Sequence, residues 1–147
     1  MYEHVSVGDA VRVVALDTAG RTVLVEDAFY LQGRRMLHVP GGGTEGQDPR
    51  RAALRELEEE TGLVAGRLDP LGEIDPLPGT TRMRTHLMLA TDLRPGRMRR
   101  DATEAGMTVQ WRPLHDAVAA ARAGDITEAG SVAALLLAAL TTERCRP

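Results

Sequence analysis

Residues 41–63 read GGGTEGQDPRRAALRELEEETGL, a glycine-rich loop followed by a strongly charged segment. Asp48 is a good N-cap residue, and Pro49 suits the first helical position, where its missing N–H costs nothing. Gly62 provides the usual C-terminal stop, since glycine readily adopts the left-handed conformation that ends many helices. The pattern therefore predicts a helix over Pro49–Thr61 directly after the loop.

The predicted helix carries four glutamates within five positions. At about 100° per residue, Glu56, Glu59 and Glu60 share one face of the helix, whereas Glu58 points away from them. Like charges at this spacing destabilise a helix by roughly a few tenths of a kcal/mol per pair, so the cluster favours a bound cation such as Mg²⁺. A solvated acidic face is the alternative. The loop at 40–46 favours ligand binding, because glycines let the backbone approach a phosphate or offer carbonyls to a metal.

The rest of the chain alternates short β-branched segments with turn residues and ends in two helical segments. The predicted strands are 9–16, 22–26, 36–39, 71–74, 85–90 and 108–112, and the predicted later helices are Leu114–Ala123 and 131–140. The first two strands are separated by a turn signal and are expected to pair as a hairpin. Trp111 is expected in the core, and the nearly all-apolar last helix should pack against the sheet. These elements predict the α/β class, with a mixed sheet and helices on its faces.

Length and composition indicate a single domain over residues 1–147. The net charge of −3 and the small number of aromatic residues argue against nucleic-acid binding, which needs a cationic surface or stacking platforms. The longest apolar run, at 132–140, is too short for a membrane span, which needs about 20 residues. No secretory signal is visible, so a cytoplasmic protein is expected. The one cysteine, Cys145, excludes an internal disulfide.

The loop and helix together resemble the signature of the Nudix hydrolases. That signature runs Gly, five residues, Glu, seven residues, and then Arg-Glu-apolar-x-Glu-Glu-x-Gly-apolar. Gly41, Gln47 and the segment 55–63 fall at those spacings, and Gln47 in place of Glu is the departure. The resemblance implies a Nudix-type α/β/α sandwich with a mixed sheet.

The same resemblance implies roles for the signature residues. Mg²⁺ or Mn²⁺ would be bound by Glu56, Glu59, Glu60 and a carbonyl of the glycine loop, such as that of Gly41. Arg55 would orient these carboxylates and would itself be supported by Gln47. An amide accepts a weaker hydrogen bond than the family's carboxylate does, so reduced or altered activity is expected rather than none.

The later part of the chain is similar to the ADP-ribose pyrophosphatase branch of that family. The features that resemble the branch are Pro78 and the segments 87–93, 101–104 and 124–131. The resemblance implies hydrolysis of the pyrophosphate bond in a nucleoside diphosphate linked to another moiety, with ADP-ribose as the first candidate. It also assigns Glu104 to catalysis, as general base or by positioning water. A ligand glutamate such as Glu56 could do that work instead.

Residues just before the glycine loop are candidates for substrate binding, since Tyr30 can stack on a base and Arg35 can hold a phosphate. Pro78 joins them as a specificity position by resemblance. His38, like the other isolated histidines, is expected to be structural or exposed. The alternatives left open are pyrophosphatases for nucleotide sugars, NADH, dinucleoside polyphosphates or oxidised dNTPs, and a catalytically weak module that binds a nucleotide. A homodimer is also expected, because Nudix folds commonly self-associate.

Overall fold

The computed structural model of the protein describes residues 3–100 and 105–144. The strands in these ranges are β1 Ala10–Ala15, β2 Arg21–Phe29, β3 Arg34–His38, β4 Gly41–Gly43, β5 Leu63–Ile74, β6 Thr85–Pro95 and β7 Thr108–Pro113. The helices are α1 Pro49–Thr61, α2 Leu114–Ala123 and α3 Ala129–Arg144. None of these described helices has the length and apolar character needed to cross a membrane.

The strands form one mixed sheet and one antiparallel sheet. The first has the order β4-β1-β6-β5, in which β1 and β6 run parallel and the other neighbours run antiparallel. The second has the order β3-β2-β7 and is antiparallel throughout. The expected mixed sheet is therefore present, accompanied by a second sheet that the sequence pattern did not separate from it.

The predicted hairpin between the first two strands is wrong. β1 and β2 belong to different sheets, and an isolated bridge between Leu16 and Thr22 joins the two sides of the turn. The turn is closed locally, because the Asp17 carboxylate accepts hydrogen bonds from the N–H groups of Ala19 and Arg21 at 3.0 and 2.8 Å. β1 pairs with β6 instead. A strand that is apolar on both faces is most stable in the middle of a sheet that is covered on both sides.

Helices cover both faces of β1. Its successive side chains point to opposite sides: Val11 and Val13 belong to the buried cluster that contains Leu57 of α1. Val14 belongs to the buried cluster that contains Leu135 of α3 and apolar residues of α2. Burial of one such side chain stabilises the fold by about 1.5–3 kcal/mol. The α/β/α sandwich predicted from the sequence is confirmed, and so is the packing of the last helix against the sheet.

Several strands are longer than predicted, β5 and β6 most of all. β5 begins at Leu63, directly after α1, and β6 continues to Pro95. The two strands pair antiparallel with an irregularity between Pro70, which lay outside the predicted strand, and Gly72. Long-range pairing with β6 therefore overrides the local preference of this segment.

Trp111 does not lie in the buried core, contrary to expectation. It is 36% exposed on β7, an edge strand of the antiparallel sheet. The guanidinium carbon of Arg21 lies 5.5 Å from the centre of its ring. Alternation with Val109 predicted the strand correctly, but alternation cannot tell which face of an edge strand remains accessible to water.

Candidate active site

Helix α1 has the bounds that its capping residues predict. The Asp48 carboxylate accepts a hydrogen bond from the N–H of Arg50 at 2.7 Å, which satisfies a free donor of the first turn. Gly62 follows the helix with a φ of 74°, in the left-handed region, and its N–H donates to the Glu58 carbonyl at 2.8 Å. These local contacts set the two ends of the helix, and the packing of Ala52, Ala53 and Leu57 in the core sets which side of it faces inward.

The glutamates of α1 divide between two sides of the helix. Glu56 and Glu60 face strand β4 and are 8% and 3% exposed. Glu59 is half-buried and lines a shallow depression together with Glu58 and Arg99. In residues 3–100 and 105–144, no three candidate ligand side chains are grouped closely enough to hold a metal ion. The three glutamates predicted as ligands share the helix, and their role in binding a metal stays a prediction.

Strand β4 lies close to these glutamates because its residues are glycines. A Cβ on Gly42 would lie 2.7 Å from the Glu56 carboxylate, and a Cβ on Gly41 would collide with the Val11 carbonyl. The N–H of Gly41 donates to Glu60 Oε2 at 3.3 Å. The glycine-rich loop of the sequence is thus a short strand, paired with β1, that brings bare backbone against two buried carboxylates.

Arg55 connects the helix to the glycine strand. Its guanidinium donates to Gln47 Oε1, to the Gly43 carbonyl at 2.9 Å and to Glu56 Oε1 at 2.9 Å. The expected hydrogen bond between Gln47 and Arg55 is therefore present. Partial burial acts to lower the pKa of Arg55, but the hydrogen bond and negative charge of Glu56 outweigh it, and the pKa lies above its ordinary value. Arg55 stays charged and fixes the orientation of Glu56.

Glu45 is a neighbour of Arg55 that sequence reasoning missed. Its carboxylate lies 3.6 Å from Nη1 of Arg55, the nitrogen that donates to Gln47. Glu45 has a φ of 53°, which is uncommon for a residue other than glycine. A carboxylate thus reaches Arg55 from position 45, whereas the family signature would supply one from position 47. The sequence did offer a signal for Glu45, because this acidic residue lies two positions before Gln47, where the chain departs from the family signature.

Arg100 ties the end of α1 to the segment that follows β6. Its Nη2 donates to the Glu60 carbonyl at 3.0 Å, and its Nη1 donates to the Met107 carbonyl. Arg100 and Met107 flank residues 101–104, which lie outside the described residues and include Glu104, the predicted general base. The chain on both sides of that segment is therefore held beside the helix that carries the glutamates.

A cavity of about 310 Å³ lies beside strand β4. Its walls include Glu60, the first two glycines of β4, and Asp27, Phe29 and His38 from β2 and β3. His38, which was expected to be structural or exposed, is 7% exposed and lines this cavity. Burial lowers the pKa of His38, so its imidazole is neutral at pH 7. The sequence offered no signal for this role, because a lone histidine has no characteristic spacing.

Glu128 links the cavity wall to the start of α3. It accepts hydrogen bonds from Arg12 Nε at 2.7 Å and from the N–H groups of Gly130 and Ser131 at 2.8 and 2.9 Å. The Ser131 hydroxyl in turn accepts from the N–H of Val39 at 3.0 Å. Burial acts to raise the pKa of Glu128, but the charge of Arg12 and these hydrogen bonds outweigh it and lower the pKa. This ionised group joins β1, α3 and the end of β3.

The residues predicted to bind substrate do not line this cavity. Tyr30 lies at the turn between β2 and β3 and is 95% exposed. Pro78 lies in a turn at 77–80. Arg35 donates a hydrogen bond to the carbonyl of Gly106 at 3.0 Å, and Gly106 lies two residues after the segment 101–104 that includes the predicted base. A role of these three residues in binding stays a prediction.

Comparison with known proteins agrees with this arrangement. The NUDIX domain family matches residues 7–134. An ADP-ribose pyrophosphatase of Mycobacterium tuberculosis (strain ATCC 25618 / H37Rv) is 34% identical over 142 residues, covering 94% of this chain and 69% of that protein. An ADP-ribose pyrophosphatase of Bacillus subtilis (strain 168) is 35% identical over 85 residues, covering 57% of this chain and 46% of that protein. The chain thus spans about half the length of the Bacillus protein in that match.

A solved structure has a similar fold over most of this chain. The crystal structure of an ADP compounds hydrolase superposes with a TM-score of 0.83 at 25% identity, covering 93% of this chain and 74% of that one. These matches confirm the resemblance to the family signature and to the ADP-ribose pyrophosphatase branch, and they support a pyrophosphohydrolase. The fold, the signature helix on its glycine strand and the family match lead to one conclusion: the chain belongs to the Nudix hydrolase family.

Proposed function

We propose that the chain hydrolyses the pyrophosphate bond of a nucleoside diphosphate linked to another moiety, with ADP-ribose as the first candidate substrate. The observation that carries the proposal is the contact of β4 with Glu56 and Glu60, joined by Arg55. Backbone without side chains can approach a phosphate closely, and the adjoining carboxylates can hold the cation that such a substrate needs. The two ADP-ribose pyrophosphatases among the relatives support the choice of substrate.

Nudix hydrolases generally use divalent metal ions, and the residues present fit one. The proposed ligands are Glu56, Glu59, Glu60 and the carbonyl of Gly41, a set of oxygen donors that suits Mg²⁺ or Mn²⁺. Gly42 leaves room beside the Glu56 carboxylate, which a Cβ would occupy. When bound, the cation neutralises charge on the pyrophosphate.

The proposed reaction is displacement at phosphorus by water. The water oxygen forms a bond to one phosphorus while the bond from that phosphorus to the bridging oxygen breaks, and the water proton passes to a base. The family resemblance assigns the role of this base to Glu104, which lies outside the described residues. Glu56 is the alternative. Arg55 acts as a positioning residue, because its hydrogen bond holds the Glu56 carboxylate, and Gln47 supports Arg55 from the other side.

Substrate contacts outside the phosphate region are proposed for Tyr30, Arg35 and Pro78. The Arg35 side chain is 43% exposed, although its Nη2 donates to the carbonyls of Glu26 and Gly106 and its Nε lies 3.9 Å from the Glu26 carboxylate. Tyr30 is exposed and accessible to a base. The single domain over residues 1–147, the homodimer, the lack of nucleic-acid binding and the cytoplasmic location stay predictions.

A substrate panel tests the proposed function. The purified protein is incubated with Mg²⁺ or Mn²⁺ and with ADP-ribose, a nucleotide sugar, NADH or a dinucleoside polyphosphate, and phosphate is measured after phosphatase treatment. For an oxidised dNTP, released pyrophosphate is measured instead. The expected result is metal-dependent hydrolysis with the highest kcat/KM on ADP-ribose. Glu58→Gln is a matched control, because Glu58 lies on the same helix outside the proposed ligand set.

Two results would contradict the proposal. Faster hydrolysis of another member of the panel would replace ADP-ribose as the substrate. Nucleotide binding by calorimetry without hydrolysis of any member would instead identify a nucleotide-binding module, the reading that Gln47 in the signature left open.

A further inference from the structure

The cavity beside β4 contains a buried polar atom without a partner. His38 is buried, with 7% of its surface exposed, and its Nε2 has no hydrogen-bond partner among residues 3–100 and 105–144. Among the described residues the other such side-chain atom is Thr22 Oγ1, and Thr22 does not line this cavity. Buried polar groups in folded proteins are nearly always hydrogen-bonded. An unpaired nitrogen on the wall of a cavity therefore indicates a ligand atom.

The hydrogen bond of the other ring nitrogen sets the tautomer of His38. Nδ1 lies 2.8 Å from the Val39 carbonyl, which can only accept, so Nδ1 carries the hydrogen. Nε2 of the neutral ring then presents a lone pair. The Phe29 ring packs edge-on against His38 with a centroid distance of 5.5 Å and fixes the plane of the imidazole. Nε2 is thus a pre-oriented acceptor that needs a donor from the ligand.

The charges around the cavity indicate the kind of donor. Its described walls carry the carboxylates of Asp27, Glu60 and Glu128, and its described cation, Arg12, is already paired with Glu128 at 2.7 Å. No three of the described acidic and histidine side chains are close enough to share a metal ion. Apart from the proposed metal ligand Glu60, these charged groups are two carboxylates and a cation that is already paired, and they suit hydroxyl donors better than a further phosphate. These walls therefore fit a sugar.

The volume indicates how much of the substrate enters. About 310 Å³ is at the lower end of the range of roughly 300–1,000 Å³ for small-molecule sites. A sugar attached to a base would need more room than a sugar alone. Glu60 and the first glycines of β4 line the same cavity, so a group bound here is adjacent to the proposed metal ligands. The terminal sugar of the substrate, joined directly to the pyrophosphate, meets both conditions.

We propose that this cavity binds the sugar on the far side of the pyrophosphate, and that His38 Nε2 accepts a hydrogen bond from one of its hydroxyls. The inference rests on the proposed function, in which that sugar is the terminal ribose of ADP-ribose. His38 is then a specificity-determining residue: it selects a hydroxylated terminal group and takes no part in the bond cleavage.

Two substitutions separate the acceptor of His38 from its structural contact. Asn in His38→Asn keeps an amide donor near the Nδ1 position, within reach of the Val39 carbonyl, and has no atom at the Nε2 position. Gln in His38→Gln extends to the Nε2 position with an oxygen acceptor. kcat and KM are measured for both variants and the unaltered protein with ADP-ribose. The same measurements use analogues that each lack one hydroxyl of the terminal ribose, and IDP-ribose, which lacks the adenine amino group.

The expected pattern is a coupling between His38 and one hydroxyl. In the unaltered protein one deoxy analogue loses about tenfold or more in kcat/KM, because the buried acceptor is left unpaired. The His38→Asn substitution lowers kcat/KM on ADP-ribose by a similar factor. It causes no further decrease on that deoxy analogue. The His38→Gln variant recovers most of the kcat/KM on ADP-ribose. IDP-ribose behaves like ADP-ribose in all three proteins.

Three outcomes overturn the inference, and the first of them needs only the unaltered protein. If the unaltered protein hydrolyses every deoxy analogue as fast as ADP-ribose, no terminal hydroxyl is recognised. If His38→Asn lowers the rates on all substrates equally, the residue has a structural role, and if its effect couples to IDP-ribose, the cavity holds the base. Absence of ADP-ribose hydrolysis by the unaltered protein is a different result, since it refutes the proposed function itself.

Discussion

The substitution Gln47→Glu tests how strongly the hydrogen bond between residue 47 and Arg55 limits the activity of the site. In the structure Gln47 accepts a hydrogen bond from Arg55 as a neutral group, and Glu45 lies 3.6 Å from the same guanidinium nitrogen. The bond to Gln47 already has a charged donor, so the substitution adds the attraction of an exposed ion pair, about 0.2–1 kcal/mol. The full gain from the substitution would be at most about 1 kcal/mol.

Glu45 reduces that gain in the natural sequence. Two carboxylates at one nitrogen repel each other, and Gln47 is exposed to water, so about half of the gain should remain. We expect kcat/KM on ADP-ribose to rise by at most about two- to threefold, because 1.4 kcal/mol corresponds to a factor of about ten. In a Glu45→Gln background the same substitution should restore the full gain, at most about fivefold.

The assay is a double-mutant cycle on the two positions. kcat/KM and the Mg²⁺ concentration for half-maximal rate are measured for the unaltered protein, both single variants and the double variant. Glu45→Gln alone should lower the rate, since it removes the carboxylate that compensates for the amide. An unchanged or lower rate for Gln47→Glu in both backgrounds would refute the reasoning, and the site would then be built around the amide.

The remaining predictions concern the glutamates and the oligomeric state. Glu60→Gln should lower turnover by orders of magnitude with the fold intact, since the amide oxygen can still accept from Gly41; near-normal turnover at limiting Mg²⁺ would exclude Glu60 as a ligand. Glu104→Gln should lower the rate about a hundredfold or more at unchanged Mg²⁺ affinity, as expected for a general base, and a loss below about threefold would move that role to Glu56. Glu128 has a lowered pKa, so its ionised form stabilises the fold above the ordinary value of 4.5, and this stabilisation is lost as the pH falls through the folded-state pKa below it. Urea unfolding should therefore show Glu128→Gln about 2 kcal/mol less stable at pH 7 and a smaller difference below pH 4; a constant difference would contradict the assignment. Light scattering should give the mass of a dimer, and a mass of 15.9 kDa at assay concentration would disprove it.

Helix α1 and its contacts could be predicted from the sequence because they are local. Asp48 and Gly62 act within one turn of the helix, so the residues themselves define its ends. The contact of Arg55 with Gln47 also follows from the signature spacing, since only the N-cap and the first turns of α1 separate them. The β-branched and apolar residues of 9–16 likewise predicted the strand β1, and the apolar last helix predicted packing against the sheet, which the buried cluster shared by Val14 and Leu135 bears out.

The partners of β1 and the cavity depended on contacts between distant segments. β1 pairs with β4 and β6 and not with β2, because both of its faces must be buried, and alternation within one strand does not specify its neighbour. His38 and Glu60 lie on different elements and meet at one cavity only after β3 and α1 pack beside β4. A lone histidine such as His38 carries no spacing signal. Spacing within an element fixes which side chains share a face, whereas packing between elements fixes which faces meet, and the recognition of a ligand depends on the second.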